Sequence, residues 1–164
     1  MTVTIVVGNP KPLSRTLLAA RRVAAELTGQ SADVELDLAS FGAALLDWSA
    51  AGVASAVEQV RSSEVVIVAS PTYKGSYTGL LKLFLDRFGA GSLDGVRAVP
   101  VMLGGYWRHA LAPEVFLKPV LNEIGASTPT AGLFLLDSEW DAPDALVDWL
   151  PAARRQLGLS VVAS

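Results

Sequence analysis

The 164-residue chain has no cysteine, which removes disulfide bridges, thiolate nucleophiles and thiolate-bound metals together. It has one histidine, His109. A lone histidine is more often structural than catalytic, and without a Gly-x-Ser-x-Gly elbow before a helix a hydrolytic triad lacks its nucleophile. Charge is sparse, at 18% of residues and a net −3, and no basic cluster stands out. Nucleic-acid binding needs grouped Lys and Arg to neutralise phosphates, so that class of partner is not expected. No apolar run approaches the roughly 20 residues that span a bilayer. The first strand begins at Thr2 or Val3, too early for a charged leader and an apolar signal region. The expectation is a cytoplasmic protein with no membrane partner.

What is present is hydrophobic residue in quantity, 51% of the chain, enough for one core in one domain over residues 1–164. "TVTIVVG" (Thr2–Gly8) and "EVVIVAS" (Glu64–Ser70) are apolar on both faces and read as buried parallel strands. Asp33–Leu38 alternates like an edge strand, Val96–Gly105 is a fourth strand, and "ASTPTAGLFLLD" supplies a fifth. Between them lie helical patterns. The first carries Leu17, Ala20, Ala24 and Leu27 on one side and ends at Gly29, the second covers Ala51–Ser62, and the third shows Leu81, Phe84, Leu85 and Phe88. A fourth falls within Tyr106–Gly125, kinked near Pro119 rather than split, and a fifth starts near Pro143. Alternating strands and helices imply a three-layer α/β sandwich on a parallel sheet.

Ligands of such sheets bind beyond the carboxyl ends of the strands, near the point where strand order reverses. Three junctions there are rich in Gly, Pro, hydroxyls and rings: "GNPKPLSRTL", "SPTYKGSYTG" and "LGGYWRHAL". The first brings Ser14, Arg15, Thr16 and Lys11 to a helix N-terminus, where free N–H groups and the helix dipole favour an anion. Its plainer reading is an N-cap at Ser14 beside a solvated lysine. Neither Gly-x-Gly-x-x-Gly nor the Lys-Ser/Thr ending of a nucleoside-triphosphate loop occurs here, and Gly89–Gly95, which imitates the former, sits between a helix and a strand. In the second junction Pro71 turns the chain, Thr72, Tyr73 and Lys74 offer donors, a ring and a cation, and Gly75 and Ser76 let a planar ligand approach. In the third, Gly104 and Gly105 expose backbone amides. The four acidic residues of Asp137–Asp144 lack a calcium-loop pattern and read as dipole-favouring charges before a helix.

Together and in this order, the three junctions resemble the NAD(P)H-dependent FMN reductases of the flavodoxin-like fold, in particular the flavin reductases of two-component alkanesulfonate-type monooxygenases. The likeness rests on "GNPKPLSRT", "PTYKGSYTGLLKLFLD" and "LGGYWRHALAPEVFLKPVL" and runs from about Thr2 to Leu136. It implies a five-stranded parallel sheet in the order 2-1-3-4-5. It also implies that Asn9, Lys11, Ser14, Arg15 and Thr16 hold the FMN phosphate. Pro71, Thr72, Tyr73, Lys74 and Gly75 would line the isoalloxazine, and Gly104, Gly105 and Tyr106 its other edge. Asn9 and Lys11 replace the family's usual Ser and Arg, trading a forked phosphate contact for a point charge.

The same resemblance implies NADPH or NADH as hydride donor, release of reduced flavin to a partner monooxygenase, and a homodimer or homotetramer, with Trp107 and Trp140 as interface candidates. Hydride transfer to flavin N5 needs no protein acid or base, so no residue is expected to be catalytic in that sense. Two alternatives stay open: a quinone, azo or nitro reductase that retains FMN, and a flavodoxin-type electron carrier. A receiver-type domain lacks its acidic cluster, since Gly8 and Asn9 stand at the end of the first strand.

Overall fold

The computed structural model describes residues 1–159. In chain order the elements are β1 (Val3–Val7), α1 (Arg15–Thr28), β2 (Val34–Asp37), α2 (Ala51–Arg61), β3 (Val65–Pro71), α3 (Gly79–Leu85), β4 (Arg97–Gly104), α4 (Lys118–Glu123), β5 (Leu133–Leu136) and α5 (Leu150–Gln156). The strands form one parallel sheet in the order β2-β1-β3-β4-β5, as the family resemblance implies. Every strand therefore presents its carboxyl end to the same rim.

Alternation along the strands sorts side chains into two apolar layers. Val3, Ile5 and Val7 point with Leu17, Val23 and Leu27 of α1 and with Leu146 and Leu157 near α5. Val6, Val66, Val68 and the fully buried Met102 point the other way, onto Leu81 and Phe84 of α3 and Leu121 of α4. Thr4 is a polar intruder in this pattern, and its hydroxyl is satisfied by the Ser63 hydroxyl at 2.7 Å. Such pairing removes most of the cost of burying it. Trp140 packs against the α1 layer, so a core contact accounts for it. No helix among the described residues is long and apolar enough to cross a membrane.

Two elements depart from the sequence expectation. The last helix begins at Leu150, not near Pro143, with turns between. Pro151 sits in its first turn, where a missing N–H costs nothing; inside a longer helix it would break a hydrogen bond. The segment before α4 is a 3₁₀ turn at Trp107–His109 followed by a π-helical stretch, Pro113–Leu117, which runs straight into α4. The irregularity expected near Pro119 is thus taken up one turn earlier, by widening the helix. Between β2 and α2, Leu38–Leu46 forms a 3₁₀ segment interrupted at Gly42, whose φ is 51°.

Candidate functional site

The first junction is built on a close contact. A Cβ added to Gly8 would lie 2.4 Å from Leu81 Cβ and 3.0 Å from Leu81 Cα, so only glycine lets α3 press against the end of β1. Thr78 caps α3, accepting from the Leu81 N–H at 3.1 Å, and its hydroxyl donates to the Gly8 carbonyl at 2.5 Å. The Thr78 N–H in turn donates to the Ser70 hydroxyl at 3.0 Å. The turns after β1 and β3 therefore share one rigid base.

Above that base the first loop is cross-tied. Asn9 accepts from the Lys11 N–H and donates to the Thr16 hydroxyl, each at 2.9 Å. The Leu13 N–H donates to Asp37 Oδ2 at 2.9 Å, which fixes Leu13 in a left-handed conformation at φ 51°. Ser14 is the N-cap of α1, as its plainer reading holds, and accepts from the Leu17 N–H at 3.3 Å. Its hydroxyl proton is left to donate outward. The N–H groups of Arg15 and Thr16 find no acceptor among the described residues, and neither does the Lys11 ammonium. Arg15 donates to the Asp137 carbonyl at 3.0 Å. The loop carrying Asp137 is itself pinned by Arg22, which donates to the Trp140 and Ala142 carbonyls at 2.8 and 2.7 Å.

In the second junction Thr72 donates its N–H to the Leu103 carbonyl at 2.7 Å, while its hydroxyl oxygen is buried without a partner. Tyr73 and Ser76 then exchange two backbone hydrogen bonds, at 2.8 and 3.1 Å, around Lys74 and Gly75 with φ of 53° and 82°. Both central residues are left-handed, which makes this a type I′ turn. Tyr73 is left 53% exposed, a free aromatic face. In the third junction Gly104 is buried: its missing side chain makes room for the Phe134 ring and the Thr72 hydroxyl. Gly105 is exposed, with open space where a Cβ would stand. Tyr106 is exposed beneath the Arg108 guanidinium, and Trp107 leans on Phe134 at 5.8 Å.

A cleft of about 320 Å³ joins the first two loops. Asn9, Lys11, Ser14, Arg15 and Thr16 line it on one loop, Pro71 and Tyr73 on the other, with Asp137 closing it. The remaining expected residues sit on the same rim outside this cleft, and Lys74 and Gly75 face a separate depression. A free lysine, hydroxyls and helix-start N–H groups suit a phosphate, and the exposed tyrosine suits a planar ring. The residues present fit a phosphorylated ring system. Sequence reasoning missed Asp37, Leu13, Thr78 and the Asp137 carbonyl. Thr78 alone had a local signal, a threonine directly before a helical pattern.

The model of the NADPH-dependent FMN reductase family matches residues 1–141. An FMN reductase (NADPH) of Pseudomonas aeruginosa is 32% identical over 142 residues, 82% of this chain and 75% of that protein. The NADH-dependent FMN reductase SfnF of Pseudomonas fluorescens is 32% identical over 140 residues, 81% of this chain and 74% of its own. The crystal structure of an NADH:FMN oxidoreductase (EMOB) in its apo form superposes with a TM-score of 0.86 at 31% identity, covering 97% of this chain and 90% of that one. With the family model matching residues 1–141 and relatives of 32% identity over most of the chain, the chain belongs to the NADPH-dependent FMN reductase family and is an oxidoreductase of flavin and nicotinamide.

Proposed function

We propose that the rim is the FMN site of a single flavin-binding domain and that the reduced flavin is released to a partner monooxygenase. The observation that carries the site assignment is the set of unused donors around Lys11, beside a bare tyrosine face. Lys11, the Ser14 and Thr16 hydroxyls and the first N–H groups of α1 would hold the phosphate, with Arg15 behind them. Pro71, Thr72 and Tyr73 would carry the ring system, with Lys74 and Gly75 contributing through the backbone of the turn and Gly104, Gly105 and Tyr106 at the far edge.

Bound FMN supplies an acceptor for the hydride of the nicotinamide. The chain's own contribution is placement and electrostatics. Tyr73 would orient the ring plane. Gly105 is exposed with no side chain in the way, so its backbone N–H could offset negative charge gained on reduction. No side chain is required to take up a proton at a reacting atom.

Release to a partner fits a cleft open to solvent, with the phosphate held by one compact point charge at Lys11 rather than a forked guanidinium pair. Oxidation of NADPH and NADH by the purified protein, with and without added FMN, tests the reading. Saturable dependence on free FMN is the expected result. Steady turnover of a quinone with FMN retained through gel filtration would instead make the flavin a resident cofactor and end the supply role.

A further inference from the structure

On the other side of the Tyr73–Ser76 turn lies a second depression, of about 340 Å³. Lys74, Arg108 and His109 line it together with the apolar Leu111, Val115 and Phe116, and no carboxylate is among its lining residues. In a chain of net charge −3 this needs a reason. Most cations of the protein are engaged. Arg21, Arg22, Arg61, Lys82 and Lys118 pair with carboxylates. Arg15, Arg87, Arg97 and Arg154 donate to backbone carbonyls. Among the described residues, the cations with neither kind of partner are Lys11, in the first cleft, Lys74 and Arg108, in this one, and Arg155 on α5.

Two of these cations are also placed. Lys74 occupies a left-handed position, φ 53°, where Asn or Gly is preferred, and such a residue costs of order 1 kcal/mol that the rest of the turn must sustain. Arg108 is parked over the Tyr106 ring, 4.6 Å from its centroid, on the 3₁₀ turn Trp107–His109. Unpaired positive charge on an apolar surface attracts anions more strongly than the same charge in open water. Tyr73 and Lys74 are neighbours in the chain, so the two depressions are separated by one turn.

We propose that Lys74, Arg108 and His109 form the subsite for the phosphates of the nicotinamide donor. The nicotinamide ring would lie over the flavin platform, and the rest of the dinucleotide would run across the turn. This deepens the FMN-site reading and rests on it. Arg108 supplies a fork that matches a phosphate edge, Lys74 a point charge and His109 a ring N–H. A donor bearing the extra 2′-phosphate adds negative charge where these groups converge, so the subsite favours NADPH.

The test uses FMN-saturated protein titrated calorimetrically with ADP-ribose and with 2′-phospho-ADP-ribose, which carry the donor's phosphates but no nicotinamide. Arg108→Ala should raise the Kd for the 2′-phosphorylated probe about tenfold, the scale of a lost charge-assisted contact. Arg108→Lys should recover part of that loss, added salt should shrink the difference, and the FMN Kd should stay within about twofold of the parent's. The proposal is overturned if Arg108→Ala binds both probes as the parent does, if the parent binds neither, or if affinity is lost only together with a change of oligomeric state. Failure of the parent to bind FMN in the preceding flavin titration would overturn the site reading itself, a separate outcome.

Discussion

The first and third loops lie on one rim but are built in opposite ways. The first, after β1, is held at nearly every step: Asn9 to Thr16 and Lys11, Leu13 to Asp37, Ser14 to the helix, Arg15 to Asp137. The third, after β4, exposes Tyr106, Trp107 and Leu111 at 62%, 60% and 71%, and its backbone makes only local bonds, from His109 to Tyr106 and from Ala110 to Trp107. A preformed site binds without an ordering cost, whereas an unbraced loop can adapt to what arrives. On the proposed reading the difference fits a division of labour, in which the phosphate end would be fixed in advance and the ring end left to adapt.

The contrast can be broken most severely at its base. Gly8→Ala drives a methyl group into Leu81 and should cost about 2–3 kcal/mol. Gly105→Ala, with open space at the same atom, should stay within about 0.5 kcal/mol. Urea midpoints compare the two, and equal losses would remove the rigid-versus-open distinction. Thr78→Val removes both the cap of α3 and the bond to Gly8, for about 1–2 kcal/mol by the same measurement. Lys11→Ala should leave the midpoint unchanged and raise the FMN Kd about tenfold, more than it slows turnover at saturating flavin. An unaltered Kd by fluorescence titration would take Lys11 out of the phosphate site. Trp107→Ala, in the looser loop, should cost only about 0.5–1 kcal/mol through its contact with Phe134.

The smallest effect concerns the π-helical stretch behind the third loop. The Lys118 ammonium, and after it the Gly132 N–H, hold the Glu114 carboxyl below its ordinary 4.5. Because the folded-state value is the lower one, this contribution is present above that pH and is lost as pH falls through the folded value. Solvent screens the half-exposed pair. Glu114→Gln should therefore lower the melting temperature slightly at pH 7, and the difference should vanish on acidification through the folded-state value, which lies under the ordinary 4.5. A gap that persists in acid would mean that shape, not charge, matters at Glu114.

Much of the sheet was legible because burial on both faces leaves its mark in runs such as Val65–Ala69, and the helices because their apolar stripes repeat at the right spacing. The binding loops were legible because hydroxyls, glycines and rings are conspicuous among aliphatic neighbours. Packing gives Gly104 a second reason to be glycine, since a Cβ there would meet the Phe134 ring at 2.8 Å. What stayed hidden depends on distance in space. Asp37 touches Leu13 from another strand, 24 residues away, and Arg15 reaches a carbonyl 122 residues away. The grouping of Lys74 with Arg108 and His109 requires the fold to bring two loops together. The late start of α5 has a visible cue in the sequence, since Pro151 marks a first turn rather than an interior.

The contact between Gly8 and Leu81, locked by Thr78, has a consequence for ligand choice. The turns after β1 and β3 share that base and cannot slide apart or together, so on the proposed reading they would act as the fixed jaws of a caliper. Riboflavin, with no phosphate, would then fill only one jaw. The span between the jaws would be set by one missing methyl group, and the length of ligand accepted would be written into the backbone rather than into any side chain that touches it.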